Sequence, residues 1–105
     1  MARGAIHPGE HLAEALDSMG ITAAQLARDI RVPPNRITGI LHFARAITAD
    51  TALRLGRYFG TSAVFWMNLQ QLYELRRAEQ EIGNAIKAIP RGKVRSARAR
   101  HASSA

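Results

Sequence analysis

The sequence predicts an all-α domain of five helices. Apolar residues recur at intervals of three and four along residues 6–89, and no stretch shows the strict alternation of a strand. Residues that start and stop helices divide this segment at four points. With 105 residues, 47% of them hydrophobic, the chain has material for one compact domain but not for two.

The first predicted helix begins at Pro8, directly after His7, and ends at Gly20. Proline is favoured at a first helical position and glycine just past the last one. Leu12, Leu16 and Met19 give this helix its apolar stripe.

Two short helices follow, over residues 22–30 and 33–42. Thr22 and Gln25 form a capping-box pattern that opens the first of them. Residues 31–32 are predicted to form a turn, and Pro33 with Pro34 is predicted to form the first turn of the next helix.

A fourth helix is capped by Thr48 and ends before Gly60, and a fifth runs from Ser62 to Ile89. The fifth would be about 42 Å long at 1.5 Å per residue. We expect a kink or fraying at Gly83, which weakens a helix by roughly 1 kcal/mol against alanine. Its apolar stripe outruns the other helices, so we predict a homodimer. The residues predicted for the dimer interface are Phe65, Trp66, Leu69, Leu72, Tyr73, Leu75, Ile82 and Ile86. Of these, the aromatic rings of Phe65, Trp66 and Tyr73 are predicted to pack the helix either against its own domain or against the second copy.

Composition excludes several classes of protein. The absence of cysteine excludes disulfide frameworks, cysteine-ligated zinc fingers and thiol catalysis. No apolar run approaches the roughly 20 residues that cross a bilayer, and the first six residues lack a secretory pattern. We expect a cytoplasmic protein without a membrane contact.

The net charge of +7 favours a polyanionic partner. Residues 90–105 hold five bases and no acid, which leaves a net charge of only +2 on residues 1–89. We predict that residues 1–89 form the domain, with a dimerisation helix at about 62–89, and that residues 90–105 are a basic, disordered tail.

The two short helices and their turn have the outline of a helix-turn-helix. Asn35, Arg36 and Thr38 lie in the leading half of the second helix, where side chains reach base edges in the major groove. Asparagine pairs with adenine and arginine with guanine. The alternative is that these are ordinary exposed polar residues of a helix.

Four blocks of sequence resemble the HigA-type antitoxins of the Cro/cI-like (XRE) helix-turn-helix family. They are His7-Pro8-Gly9-Glu10, residues 32–37 (VPPNRI), residues 47–55 (ITADTALRL) and residues 65–70 (FWMNLQ). The resemblance implies a five-helix, lambda-repressor-like DNA-binding domain with a long C-terminal helix. It also implies a homodimer that binds operator DNA and represses its own operon, and a RelE/HigB-like ribonuclease toxin as partner.

The resemblance further implies site residues by position. Those facing the groove to read bases are Pro34, Asn35, Arg36, Thr38 and Gly39. Those touching DNA phosphates are Thr22, Ala23, Gln25 and Arg45.

The chain departs from the family pattern at a few of these places. Ala23 stands where a phosphate-binding glutamine is common in the family, and Arg31 stands where a turn glycine is common. Phe43 and Ala44 replace the Gly-Lys or Gly-Arg pair that usually follows the second helix of the helix-turn-helix. If the backbone keeps a positive φ at 31 or 43, the missing glycine costs about 1 kcal/mol.

An acidic face on the first helix is the candidate toxin contact. Glu10, Glu14 and Asp17 are spaced by four and three residues and so share one face. Such a face could steer a basic ribonuclease. It could equally be a solvated acidic surface, which the helix dipole favours near an N-terminus.

The segment from His7 to His11 matches the H-x-x-E-H signature of inverted zinc peptidases. The match fails because Pro8 makes the helix begin after His7, so the two rings need not share a face. We predict no enzyme, no cofactor and no metal. The remaining alternatives are a stand-alone phage- or plasmid-type repressor without a toxin, and an interaction adaptor that no longer reads DNA, which Ala23 and Ala44 keep open.

Overall fold

A computed structural model describes residues 4–93 and confirms the predicted order of five helices, with no strand in that range. The segment predicted as a basic tail, residues 90–105, lies mostly outside the described residues. The helices are α1 (Pro8–Met19), α2 (Ala23–Ile30), α3 (Pro34–Leu41), α4 (Ala49–Phe59) and α5 (Ala63–Lys87).

Three of the five helices, α1, α2 and α5, begin with a side-chain cap. The hydroxyls of Thr22 and Ser62 each accept a hydrogen bond from the backbone N–H three residues later, at 3.1 and 3.0 Å. These bonds satisfy amides that have no partner within the helix. At α1 the cap is His7, whose Nδ1 accepts from the Gly9 N–H at 2.9 Å. Thr48 occupies the N-cap position of α4 as predicted, but its side chain makes no cap bond there, and its hydroxyl instead donates to that of Thr51 at 3.4 Å.

One apolar core joins all five helices. Leu12 of α1, Leu26 of α2, Ile37 of α3 and Leu55 of α4 are fully buried, and Trp66 of α5 is 2% exposed. Burying side chains of this size stabilises by about 1.5–3 kcal/mol each. The helix-turn-helix is therefore held rigidly against the rest of the domain.

The burial of Trp66 corrects one prediction. The sequence assigns Trp66 to the dimer interface, with packing against its own domain as the alternative, and the indole lies inside the protomer, where its Nε1 donates to the Thr61 hydroxyl at 2.9 Å. Because the ring is buried within one protomer, it cannot pack against a second chain. Trp66 anchors α5 to the core.

The first turn of α1 lies directly against α3. A Cβ on Gly9 would overlap the Ile40 carbonyl oxygen and stand 3.0 Å from Phe43 Cδ1. Glycine at this position lets the two backbones approach, and so fixes the depth at which α3 sits in the domain.

α5 gives the molecule its length, with principal extents of 55 × 29 × 22 Å. Its regularity is lost at Ile82 (φ −128°, ψ 16°), beside Gly83, where the sequence predicts a weak point. The C-terminal half carries apolar side chains that the other helices do not cover.

Candidate nucleic-acid interface

The turn of the helix-turn-helix is closed by backbone hydrogen bonds around Arg31. The Val32 N–H donates to the Ala27 carbonyl at 3.0 Å and the Arg31 N–H to the Arg28 carbonyl at 3.3 Å, which is the Schellman pattern. Arg31 has a φ of 66°, in the left-handed region that favours glycine. The turn thus adopts a left-handed backbone conformation at a residue other than glycine.

The same arrangement ends α3. The Ala44 N–H donates to the Gly39 carbonyl at 2.8 Å and the Phe43 N–H to the Ile40 carbonyl at 3.1 Å. Phe43 has a φ of 63°. Both positions at which the sequence lacks an expected glycine therefore retain the positive φ.

α3 presents its N-terminal half to the surface. Pro34, Asn35 and Thr38 are exposed, Arg36 is half-buried, and Ile37 between them is fully buried. The predicted base-reading residues thus lie on the outer side of the helix. Nothing in the described part of the domain covers the amide of Asn35.

Gly39, also predicted for the groove, is less open than its neighbours. The aliphatic part of Arg45 lies over it, so that an added Cβ would stand 2.7 Å from Arg45 Cδ. Gly39 makes room for Arg45, and the exposed guanidinium of Arg45 lies beside the end of α3.

Three of the four predicted phosphate contacts, Thr22, Ala23 and Gln25, lie at the N-terminus of α2, whereas Arg45 lies beside α3. Thr22 and Gln25 are exposed, whereas the methyl group of Ala23 packs against the core. Ala23 therefore has only its backbone N–H to offer an anion, beside the exposed side chains of Thr22 and Gln25. The substitution of alanine at this position reduces the polar surface of the site.

A network of charged side chains joins α3 to α4, and sequence reasoning missed it. Nη1 of Arg36 lies 2.7 Å from Oδ2 of Asp50, and Nε of Arg54 lies 3.1 Å from the same oxygen. The hydrogen bond from Arg54, with a second from Arg36, holds the pKa of Asp50 below its ordinary value. The spacing of Asp50 and Arg54, four residues apart, could have indicated their pairing.

The ring of His7 is buried between the start of α1, Phe43 after α3, and Tyr73 of α5. It is 4% exposed and lies against Phe43 and Tyr73, with centroids 4.9 and 4.7 Å away. Burial lowers the pKa of His7 below its ordinary value. A hydrogen bond to the Arg45 backbone and the negative charge of Glu10 act in the opposite direction but are smaller effects. His7 is thus a packed helix cap, and within residues 4–93 no three His, Asp or Glu side chains are grouped to hold a metal ion.

A second buried polar group was also missed. Oε1 of Gln70 accepts from the Ile47 N–H at 2.8 Å, and Nε2 donates to Glu74 at 2.9 Å. Gln70, 5% exposed, ties the loop after α3 to α5. Only its place among apolar residues of the long helix hinted at burial.

Solved structures of known proteins share this fold. A structure of an addiction module antidote protein of a HigA family from Coxiella burnetii has a TM-score of 0.83 and 47% identity, covering 86% of this chain and all of that one. The chain belongs to the HigA family of antitoxins. Pseudomonas aeruginosa antitoxin HigA, solved with the higBA promoter, has a TM-score of 0.80 and 44% identity over 86% of this chain and 99% of that chain.

Among curated proteins, this HigA-family chain is 54% identical to virulence-associated protein I of Dichelobacter nodosus over 78 residues, which are 73% of this chain and 72% of that protein. No protein-family model matches the sequence.

The remaining predicted sites of this HigA-family chain lie on α1 and α5. Glu10, Glu14 and Asp17 are exposed on one face of α1. Along α5, Leu69 and Tyr73 are half-buried within the protomer. The exposed members of the predicted dimer set are Phe65, Leu72, Leu75, Ile82 and Ile86. None of the helices in residues 4–93 has the length and apolar character to cross a membrane.

Proposed function

We propose that this chain is a DNA-binding antitoxin that represses its own operon and neutralises a RelE/HigB-like ribonuclease toxin. The observation that carries the DNA-binding part is the exposed polar half of α3 on a rigid helix-turn-helix. Membership of the HigA family supports it, because a relative with the same fold is solved with promoter DNA. Asn35 and Arg36 read bases in this proposal, with Pro34, Thr38 and Gly39 along the same edge.

Phosphate contacts fix the domain on the duplex in this proposal. Thr22, Gln25 and the N–H of Ala23 bind at the start of α2, and Arg45 binds beside α3. Such contacts carry most of the affinity and make it fall with salt. The half-buried Arg36 and the exposed Arg45 lie on the same side of the domain, lining one cleft.

We propose a homodimer joined along α5, which forms the dimerisation part of a domain spanning residues 1–89. Leu72, Leu75 and Ile86 are 50, 60 and 51% exposed in the single protomer. A row of apolar side chains left in contact with water is typical of a surface that binds another protein. A dimer would present two copies of α3 to major grooves one helical turn, about 34 Å, apart. Sedimentation tests this: Leu75→Glu should yield monomers, whereas Gln71→Glu, at an exposed polar position of the same helix, should not.

DNA binding is tested by gel shift. The chain's own promoter fragment and a shuffled duplex of equal composition are titrated at 50 and 200 mM salt. A repressor should prefer the promoter at both concentrations while losing affinity for both duplexes as salt rises. Equal binding to the two duplexes would contradict sequence-specific recognition.

The toxin part is tested by copurification. The chain is co-expressed with the small basic reading frame beside its gene, and a stoichiometric complex that suppresses ribonuclease activity is expected. Reversing the charges of Glu10, Glu14 and Asp17 should slow association if the acidic face of α1 steers the toxin. Promoter binding without any complex would favour the stand-alone repressor.

A further inference from the structure

We propose that Asp50 is a positioning residue for Arg36, and that base discrimination by Arg36 depends on it. The inference rests on the proposed function, since it concerns how α3 reads DNA. The observation behind the inference is the network of Arg36, Asp50 and Arg54 between α3 and α4, which the sequence did not predict.

Asp50 is itself fixed from two sides. It lies in the first turn of α4, where the helix dipole favours a carboxylate. Arg54, one turn later, donates Nε to Asp50 and Nη1 to the Ile30 carbonyl at 2.8 Å. The carboxylate is thereby tied to the end of α2, so its position is defined by two helices before Arg36 contacts it.

Arg36 uses one nitrogen of its guanidinium for this contact. Nη1 donates to Asp50 at 2.7 Å, and within residues 4–93 no other guanidinium nitrogen of Arg36 is engaged. Arginine has five N–H donors in a planar fork, so the opposite edge stays available for a bidentate contact with guanine. The side-chain freedom of Arg36 is reduced before DNA arrives rather than on binding.

The surrounding charge favours a positioning role over simple neutralisation. Among the described residues, the cleft that Arg36 and Arg45 line has one acidic side chain, that of Asp50. Its four basic side chains are those of Arg31, Arg36, Arg45 and Arg54. A carboxylate there opposes nearby phosphates and lowers affinity for any duplex. That disadvantage is offset if the carboxylate orients the arginine that recognises a particular base pair.

The test measures specificity rather than affinity. Full-length chain and its Asp50→Asn variant are titrated against the chain's own promoter fragment, all its single-base-pair variants and a shuffled duplex. We expect Asp50→Asn to reduce discrimination at one base pair about tenfold, the range of one bidentate contact, with equal or tighter binding to the shuffled duplex. Glu79→Gln, which removes one exposed negative charge on α5, should leave discrimination unchanged.

Two further variants keep the test independent of folding. Asp50→Glu retains the charge at the start of α4 but displaces the carboxylate by one methylene, so discrimination should fall at that same base pair while the melting curve is preserved. In an Arg36→Ala background, Asp50→Asn should have no further effect on discrimination. A persisting effect there would show that Asp50 acts without Arg36 and would overturn the inference.

The remaining outcomes separate this inference from the proposed function. If Asp50→Asn tightens binding to every duplex by one factor, Asp50 is only an electrostatic brake and the inference is overturned. Unchanged discrimination in both Asp50 variants overturns it as well. If the unmodified chain does not distinguish its promoter from the shuffled duplex, the proposed function fails first and this inference falls with it.

Discussion

The imidazole of His7 stacks on the ring of Phe43, with centroids 4.9 Å apart and planes inclined by 26°. The two residues precede α1 and follow α3, respectively. Since Nδ1 of His7 also accepts the Gly9 N–H at 2.9 Å, the ring must be unprotonated at that nitrogen. One buried side chain thus caps α1 and packs against Phe43, two residues past the end of α3.

Acidification should destabilise the domain through His7. Burial places the folded-state pKa of His7 below its ordinary value of 6.5, so the unfolded chain binds the proton more readily. The contribution of His7 is fully present above pH 6.5 and is lost as the pH falls through the lowered folded-state pKa. Urea unfolding between pH 8 and pH 5 should show the free energy of unfolding falling over this window.

The matched variants are His7→Asn and His42→Gln. Asparagine caps a helix without titrating, so His7→Asn should lower stability at pH 8 by about 1 kcal/mol through the lost ring contacts and flatten the pH dependence. His42 is exposed at the end of α3, and its replacement should leave the pH dependence in place. A wild-type slope in His7→Asn would refute the assignment to His7.

Elements with local signals were predictable from the sequence, and long-range contacts were not. Thr22, Ser62 and Pro8 mark helix starts because capping depends on a few neighbouring residues, and all three stand where predicted. The burial of Trp66 depends on which face of α5 meets the core, which periodicity alone does not decide. The bond between Arg36 and Asp50 spans 14 residues and two helices, so no local pattern reports it.

Arg31→Gly should stabilise the domain. Arg31 has a φ of 66°, which costs a residue with a Cβ about 1–2 kcal/mol. Glycine adopts this conformation freely but loses more entropy on folding, so a net gain of about 1 kcal/mol is expected. Thermal and urea unfolding measure it, and Arg31→Ala, which keeps the strain while removing the side chain, is the control. Equal stability of the two variants would show that the backbone strain contributes nothing.

Asn35→Ala should weaken promoter binding by about 1–3 kcal/mol and relax the preference at one base pair. The amide is exposed on the outer side of α3, where it can reach a base edge. Gln25→Ala is the matched change at a predicted phosphate contact and should weaken binding to promoter and shuffled duplexes alike. If Asn35→Ala behaves as Gln25→Ala does, Asn35 contacts the backbone and not a base.

Deleting residues 90–105 should lower affinity for every duplex and leave the preferred sequence unchanged. The segment carries five bases and no acid, and these can contact phosphates but lie outside the helix-turn-helix. The slope of log affinity against log salt should become shallower by about 0.9 for each lost phosphate contact. A full-length variant with Arg91, Lys93, Arg95, Arg98 and Arg100 replaced by glutamine should match the deletion, because charge alone is responsible. An altered preferred site in either protein would instead mean that the tail reads sequence.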